Sequence, residues 1–157
     1  MGRNGHVDVR QLEDFRHRLQ SIADSNDEFI ESCAKELAAR LLAKVIKRTP
    51  VGDYSGDSYT CEGGHVHKGH KVTGKVGGTL RRNWTIGEIK KIGGVFQIEV
   101  INPTEYASYV EYGHRTRNHK GWVKGHFMLT ISEQEIERDS KAILERKLQN
   151  YLKNNLK

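Results

Sequence analysis

The stretch LRRNWTIGEIKKIGGVFQIEVI, residues 80–101, decides the fold class. It consists of two runs that favour extended structure, LRRNWTIGEIKKI and VFQIEVI, on either side of Gly93-Gly94, a pair that tolerates the positive φ angles of a two-residue turn. Apolar residues alternate along both runs, so that side chains such as Trp84 and Ile86 fall on one face. The stretch therefore predicts a β-hairpin with one apolar face.

A long helix is the natural cover for that face, because an isolated hairpin is marginally stable in water. Residues 27–48 have the required helical period, and Thr49-Pro50 stops it. Ser25 and Glu28 have the spacing of a capping box at the start of this helix. We therefore expect an α+β fold, in which a small antiparallel sheet packs against a long helix. The apolar stripe of the helix is Ile30, Cys33, Leu37, Leu41 and Val45.

Two further capping boxes predict helices at the ends of the chain. Asp8 with Gln11 precedes a short amphipathic N-terminal helix, and Ser132 with Glu135 precedes a C-terminal helix that has only a narrow apolar stripe. So thin a stripe buries one side at most, either on the sheet or on another subunit.

A shorter helix is expected after the hairpin. The apolar positions 106, 107, 109 and 110 fit two helical turns that end at Gly113, with Tyr106, Tyr109 and Val110 on the buried face. From Gly113 to Gly125 the chain is expected to form a loop before the last helix.

The chain is 157 residues long, which favours a single domain over residues 1–157. Within it, GDYSGDSYTCEGGHVHKGHKVTGKVGG, residues 52–78, is polar, rich in glycine and without sustained period. We interpret it as a long flexible insertion, in which a loose hairpin is one possibility. No apolar run is long enough to cross a bilayer, and the N-terminal residues lack the apolar centre of a signal peptide. We therefore expect synthesis in the cytoplasm and no membrane partner.

The insertion contains four side chains of the types that bind zinc or nickel, namely Cys61, His65, His67 and His70. Their spacing matches neither paired-cysteine nor paired-histidine zinc motifs, and flanking glycines make such ligands costly to preorganise. A solvated loop is the preferred interpretation, and no cofactor is expected. Cys33 and Cys61 are expected to be free thiols.

The stretch YASYVEYGHRTRNHKGWVKGHFML, residues 106–129, allows two chemical interpretations. Glu111 with His114, His119 and His126 could supply the acid, base and ligands of a nuclease of the His-Asn-His type, but such a nuclease needs a ββα frame rather than a loop. Alternatively, the segment from His114 to Lys124 carries cations interleaved with aromatic residues and no acid, which is typical of a nucleic-acid contact or of a loop that meets an acidic neighbour. The residues of this second interpretation are Tyr112, Arg115, Arg117, Lys120, Trp122 and Lys124.

Four segments, in this order along the chain, resemble the tail-completion family of long-tailed, lambda-like bacteriophages. They are RTPVG at 48–52, GGTLRRNW at 77–84, VINPTEYASYVEYGHR at 100–115 and GHFML at 125–129. The family's proline turn runs into the Leu-Arg strand within a few residues, whereas here the histidine-rich insertion intervenes. The matching residues include Pro50, Leu80, Arg81, Arg82, Trp84, Tyr106, Tyr109, Glu111 and Gly113.

The resemblance implies a structural virion protein rather than an enzyme. It implies an α+β subunit that forms a homo-oligomeric ring at the neck, on the tail tube or under the head connector, after a period in the host cytoplasm. Glu111 and Arg115 would then pair locally or across subunits, and any contact with DNA would be unspecific. The surface expected to contact other subunits comprises Tyr112, His114, Arg115, Arg117, Lys120, Trp122 and Lys124. A nucleic-acid-binding or nuclease-like protein is the alternative.

Overall fold

The computed structural model describes residues 10–56, 58–61, 63–64, 66–68 and 74–156. The fold class is α+β, as predicted. The elements are α1 (Arg10–Asp24), α2 (Asn26–Arg48), β1 (Tyr59–Thr60), β2 (Val66–His67), α3 (Thr79–Arg82), β3 (Thr85–Ile86), β4 (Lys90–Ile92), β5 (Val95–Gln97), β6 (Val100–Ile101), α4 (Ala107–Tyr112), β7 (Gly113–Arg115), β8 (Trp122–Lys124) and α5 (Met128–Asn155).

Helices α2 and α5 pack against each other in antiparallel fashion. Near the start of α2, the ring of Phe29 lies 4.4 Å from that of Tyr151 near the end of α5. Near the end of α2, Lys44 forms a 2.8 Å ion pair with Glu135 near the start of α5. The long helix that the sequence predicted therefore exists, and the C-terminal helix is its main partner.

The predicted capping boxes are wrong where the structure can test them. The hydroxyl of Ser25 donates to the carbonyl of Ser21 and makes no cap to α2. Ser132 lies inside α5, where its hydroxyl donates to the carbonyl of Met128, because the N-cap position of α5 is Phe127 and not Ser132. Asp8 lies outside the described residues.

The predicted hairpin is confirmed from β3 onward. Gly93 and Gly94 form its turn with φ angles of +57° and +83°. The pairing shifts by one residue between Ile86↔Val100 and Lys90↔Gln97, which is the signature of a β-bulge and divides the hairpin into two short ladders. Strands β3, β5 and β6 contact α2, as expected for the covering helix.

The beginning of the predicted first strand is instead helical. Leu80, Arg81 and Arg82 belong to α3, a single turn preceded by Gly78 at a φ of +93°. This turn buries Leu80 completely, so packing overrides the extended preference of the run. The described strands form four two-stranded sheets rather than one continuous sheet.

The core lies where α2, α3, α4 and α5 meet. Its members are Val45, Leu80, Trp84, Val110 and Met128.

The expectation that Tyr106 and Tyr109 face the core is wrong. Their exposed fractions are 38% and 58%, and Val110 and Glu111 point inward instead. Because α4 has only six residues, few of its positions can face the core, and the tyrosines lie outside that arc.

The segment 52–78 contains a small hairpin, in which β1 pairs with β2 through Tyr59↔His67. The rings of Tyr54, Tyr59 and His67 stack in series, at 5.4 Å and 4.4 Å. The flexibility of the 52–78 segment and the organisation of the chain as a single domain stay predictions. None of the described helices is long and apolar enough to span a membrane.

Candidate functional site

Two of the recognised segments meet at Thr49, which is completely buried. Its hydroxyl donates to the carbonyl of Val45 at 2.7 Å and accepts from the indole Nε1 of Trp84 at 2.8 Å. The guanidinium of Arg81 donates to the Thr49 carbonyl, with Nε at 2.9 Å. Pro50 follows directly and prevents α2 from continuing. These motif residues therefore hold α2 and α3 together.

Glu111 is a buried carboxylate that caps α5 from a distance. It accepts hydrogen bonds from the backbone N–H groups of Leu129 and Thr130, at 3.0 and 2.9 Å, and from the Thr130 hydroxyl at 2.8 Å. A negative charge is favourable at a helix N-terminus, where N–H groups lack intrahelical partners. Glu111 and Arg115 do not pair with each other within the described part of the chain, and Arg115 is exposed. Pairing across subunits stays a prediction.

The segment between Gly113 and Gly125 is a β-hairpin, not the predicted loop. β7 pairs with β8 in the register Gly113↔Lys124 and Arg115↔Trp122. Gly113 has a φ of +87°, and a Cβ there would lie 2.2 Å from the carbonyl oxygen of Val123. Glycine is therefore required at this position, because the backbones of β7 and β8 approach each other closely there. From the sequence alone, Gly113 is predicted only to end a helix.

The turn of this hairpin is ordered by its own side chains. The hydroxyl of Thr116 accepts from the Gly121 N–H at 3.0 Å, and the Asn118 side chain accepts from the Lys120 N–H at 3.2 Å. His119 has a φ of +56°. Threonine and asparagine at these positions are the turn signal that the sequence analysis missed.

The residues predicted to contact other subunits lie together on this hairpin and at the end of α4. We call them the hairpin surface: Tyr112, His114, Arg115, Arg117, Lys120, Trp122 and Lys124. Tyr112 and Trp122 are 60% and 63% exposed, although both are large aromatic residues. Among the described residues, none of the four cations in this set has a carboxylate partner. The structure brings these residues together, while their role as a contact surface stays a prediction.

An apolar groove of about 840 Å³ adjoins the hairpin surface. We call it the tyrosine groove, since Tyr106, which precedes α4, and Tyr109 of α4 line it. Val123 of β8 and Cys61, Gly63 and His67 also belong to its lining. The ring of Tyr109 meets that of His114 edge-on at 5.7 Å. The Nδ1 atom of His114 is buried and has no hydrogen-bond partner within the described part of the chain.

The metal candidates can be placed only in part. Cys61 and His67 both line the tyrosine groove, whereas His65 and His70 lie outside the described residues. The described ranges contain no group of three or more His, Cys, Asp or Glu side chains arranged to hold a metal ion. Cys33 and Cys61 are free thiols.

The structure meets one requirement of the nuclease alternative, the ββα order, but it does not leave Glu111 available as the acid. Strands β7 and β8 followed by α5 do provide a ββα order, which the sequence analysis did not foresee. However, Glu111 is buried and already accepts three hydrogen bonds from α5. The arrangement therefore offers a protein-binding surface more readily than a hydrolytic centre.

The fold is that of a small α+β protein that exposes aromatic and cationic groups, which are the residue types enriched at binding surfaces. The family model described as "Bacteriophage HK97-gp10, putative tail-component" matches residues 13–113, well over half of the chain. The chain therefore belongs to this HK97-gp10-like family of bacteriophage tail components. No curated protein and no solved structure matched the chain. The family match covers α1 to α4 and ends at the first residue of β7.

Proposed function

We propose that this chain is a structural, non-catalytic subunit of the phage head–tail joint, where it completes or caps the tail tube as an oligomeric ring. Membership in a tail-component family supports a structural role in the virion. The observation that carries the finer proposal is the hairpin surface, which holds exposed aromatic rings and cations that have no carboxylate partner among the described residues. Aromatic residues and arginine are the types enriched in protein interfaces.

The proposed partners are other copies of this chain, the tail tube and the head connector. The hairpin surface suits an acidic protein face that also offers apolar contact, because its charge is positive and its rings are exposed. Contacts with DNA passing through the ring would be unspecific, since cations bind phosphate without reading sequence. The proposed location is the virion neck, after synthesis in the host cytoplasm.

Disruption of the gene in the phage or prophage that encodes this chain tests the proposal. We expect DNA-filled heads and separate tails by electron microscopy, and normal virions when the intact chain is supplied in trans. A chain labelled at its C-terminus should be found at the neck. Normal virions without the chain, or a label at the distal end of the tail, would refute the proposal.

A matched pair of variants links this role to the hairpin surface. The chain with Arg115→Ala and Arg117→Ala should fold and fail to restore joined virions. The control chain with Lys90→Ala and Lys153→Ala loses the same charge at exposed positions outside the hairpin surface, and it should restore them. If the two chains restore joined virions equally well, the hairpin surface is excluded as the contact.

A further inference from the structure

We infer that helix α1 is a movable arm whose direction is set by a hydrogen bond from Tyr151 of α5 to Ser25, the residue at which the chain bends between α1 and α2. We call this contact the tyrosine latch. Release of the latch lets the arm turn while α2 and α5 stay packed. The latch belongs to the free chain, so it holds whether or not the proposed function is correct.

Helices α1 and α2 form one bent helix rather than two separate ones. The backbone N–H of Ser25 donates to the carbonyl of Ser21 at 3.1 Å, and the N–H of Phe29 donates to the carbonyl of Ser25 at the same distance. Both bonds span four residues, as in an α-helix. Ser25 itself departs from helical geometry, with a φ of −92° and a ψ of 9°. The helical hydrogen bonds therefore continue across a bend at a single residue.

The side chain of Ser25 explains the bend. Its hydroxyl oxygen lies 2.9 Å from the carbonyl oxygen of Ser21 and 3.3 Å from that of Ile22. A serine hydroxyl that bonds to a carbonyl in the preceding turn competes with the backbone ladder and bends the helix. Without this hydroxyl, the helix is expected to run straight through position 25.

Tyr151 fixes the direction of the bend from the neighbouring helix. Its hydroxyl lies 2.5 Å from that of Ser25. The single hydroxyl proton of Ser25 points to the carbonyls of α1, so Tyr151 is the donor in this bond. The ring of Tyr151 lies 4.4 Å from the ring of Phe29 in the first turn of α2. The hydroxyl therefore holds the bend, whereas the ring holds α2 against α5.

Helix α1 is weakly packed beyond the bend. None of its 15 residues is buried, and among the described elements its main contact is with α2. The exposed fraction of its apolar side chains rises with distance from the bend, from 45% at Leu19 to 48% at Phe15 and 72% at Leu12. The arm thus leaves the body of the chain progressively. A few residues at the end of an element commonly absorb such rotations, and here the bend at Ser25 is the place for one.

Spin labels on α1 and α5 measure the direction of the arm. The full-length chain carries Cys33→Ala and Cys61→Ser, and the labels are attached to the cysteines introduced by His17→Cys and Lys141→Cys, which are both at exposed positions outside the latch. Double electron–electron resonance measures the distance between the two labels. We expect one narrow distance distribution for this parent chain, because the latch holds one direction of the arm. A broad distribution over many distances would overturn the inference.

Two variants of the parent chain remove different parts of the device. Tyr151→Phe keeps the ring on Phe29 and removes the donor. A second distance should appear, and the latched population should fall roughly 2- to 10-fold relative to it, as expected for the loss of one neutral hydrogen bond. Ser25→Ala also removes the bond to the preceding turn, so it should give one narrow distribution at a different mean distance. If Tyr151→Phe keeps the parent distribution, the latch is refuted, and if Ser25→Ala keeps it, the serine does not cause the bend.

Asn155→Ala is the matched control. Asn155 lies one turn after Tyr151, and its side chain donates to the Tyr151 carbonyl at 2.8 Å, so its loss loosens the end of α5 without removing the tyrosine hydroxyl. The control should keep the narrow distribution. If it broadens the distribution as much as Tyr151→Phe does, fraying of α5 explains the change and the inference fails.

Circular dichroism separates turning of the arm from melting. An isolated helix of 15 residues is marginal in water, so an arm released from the body could lose its helical structure. We expect Tyr151→Phe to keep the helical signal of the parent chain while the distance distribution changes. A loss of signal that corresponds to the 15 residues of α1 would show that the arm melts instead of turning, and it would overturn the inference.

Discussion

Removal of the buried carboxylate of Glu111 should destabilise the N-terminus of α5. The carboxylate accepts three hydrogen bonds from the first turn of α5, and no residue near the start of that helix replaces it. Phe127, at the N-cap position, has a φ of +49° and makes no side-chain cap. Glu111→Ala would therefore leave the N–H groups of Leu129 and Thr130 without their acceptor.

The expected cost follows from three contributions. A hydrogen bond to a charged group contributes about 1.5–3 kcal/mol to the free energy of unfolding, and each buried donor left without an acceptor lowers it by about 1–3 kcal/mol. The favourable interaction of a carboxylate with a helix N-terminus adds about 0.3–1 kcal/mol. These effects overlap, so we expect about 3 kcal/mol for Glu111→Ala. Glu111→Gln keeps an acceptor and loses the charge, and it should cost about 1.5 kcal/mol.

Urea denaturation followed by circular dichroism measures both changes. For a chain of this size, a loss of about 3 kcal/mol lowers the melting temperature by roughly 6–12 °C. Glu105→Ala is the control, since Glu105 is an exposed carboxylate just before α4. If Glu111→Ala shifts the midpoint no more than Glu105→Ala does, the carboxylate does not cap α5 and the reasoning is wrong.

Three further predictions concern the core and the contact between α2 and α5. Thr49→Val should destabilise the chain by about 2 kcal/mol in urea denaturation, because the buried indole of the core tryptophan loses its acceptor. The hydrogen bond from Lys44 holds the pKa of Glu135 below its ordinary 4.5. The contacts of ionised Glu135 therefore stabilise the fold at neutral pH, and this stabilisation is lost as the pH falls below about 4.5. In the Glu135→Gln variant, the free energy of unfolding should depend less on pH in the acidic range. Val110→Ala should lower the free energy of unfolding by about 1–3 kcal/mol in urea denaturation, because Val110 is buried. Tyr109 is exposed, and Tyr109→Ala should lower that free energy by less than about one third as much.

Local sequence signals were enough to predict the long helix and the hairpin turn. Helix α2 was predicted within one residue of its start because its apolar period is sustained over six turns. The Gly93-Gly94 turn was predicted because few residue pairs tolerate positive φ at both positions. Such local signals do not depend on the rest of the chain.

The incorrect predictions share a different cause, which is dependence on distant residues. The cap of α5 comes from Glu111, 17 residues before the start of that helix, and no capping-box rule covers such a distance. The β7–β8 hairpin depends on close backbone contacts at Gly113. The local sequence around Gly113 indicates only the end of a helix. Tyr106, Tyr109 and Val110 were assigned to one buried face, and only Val110 is buried.

The short helix α4 explains how an exposed surface can have a fixed position. Its inward side carries Val110, a core residue, and Glu111, the cap of α5, while Tyr109 and Tyr112 are exposed on the other side. The backbone N–H of His126 also donates to the carbonyl of Val110 at 2.8 Å, which ties the end of the β7–β8 hairpin to α4. The hairpin surface and the tyrosine groove are therefore held by the core itself. A partner that binds there does not have to order a loop, and the smaller entropic cost favours the tight contacts that the proposed ring would require.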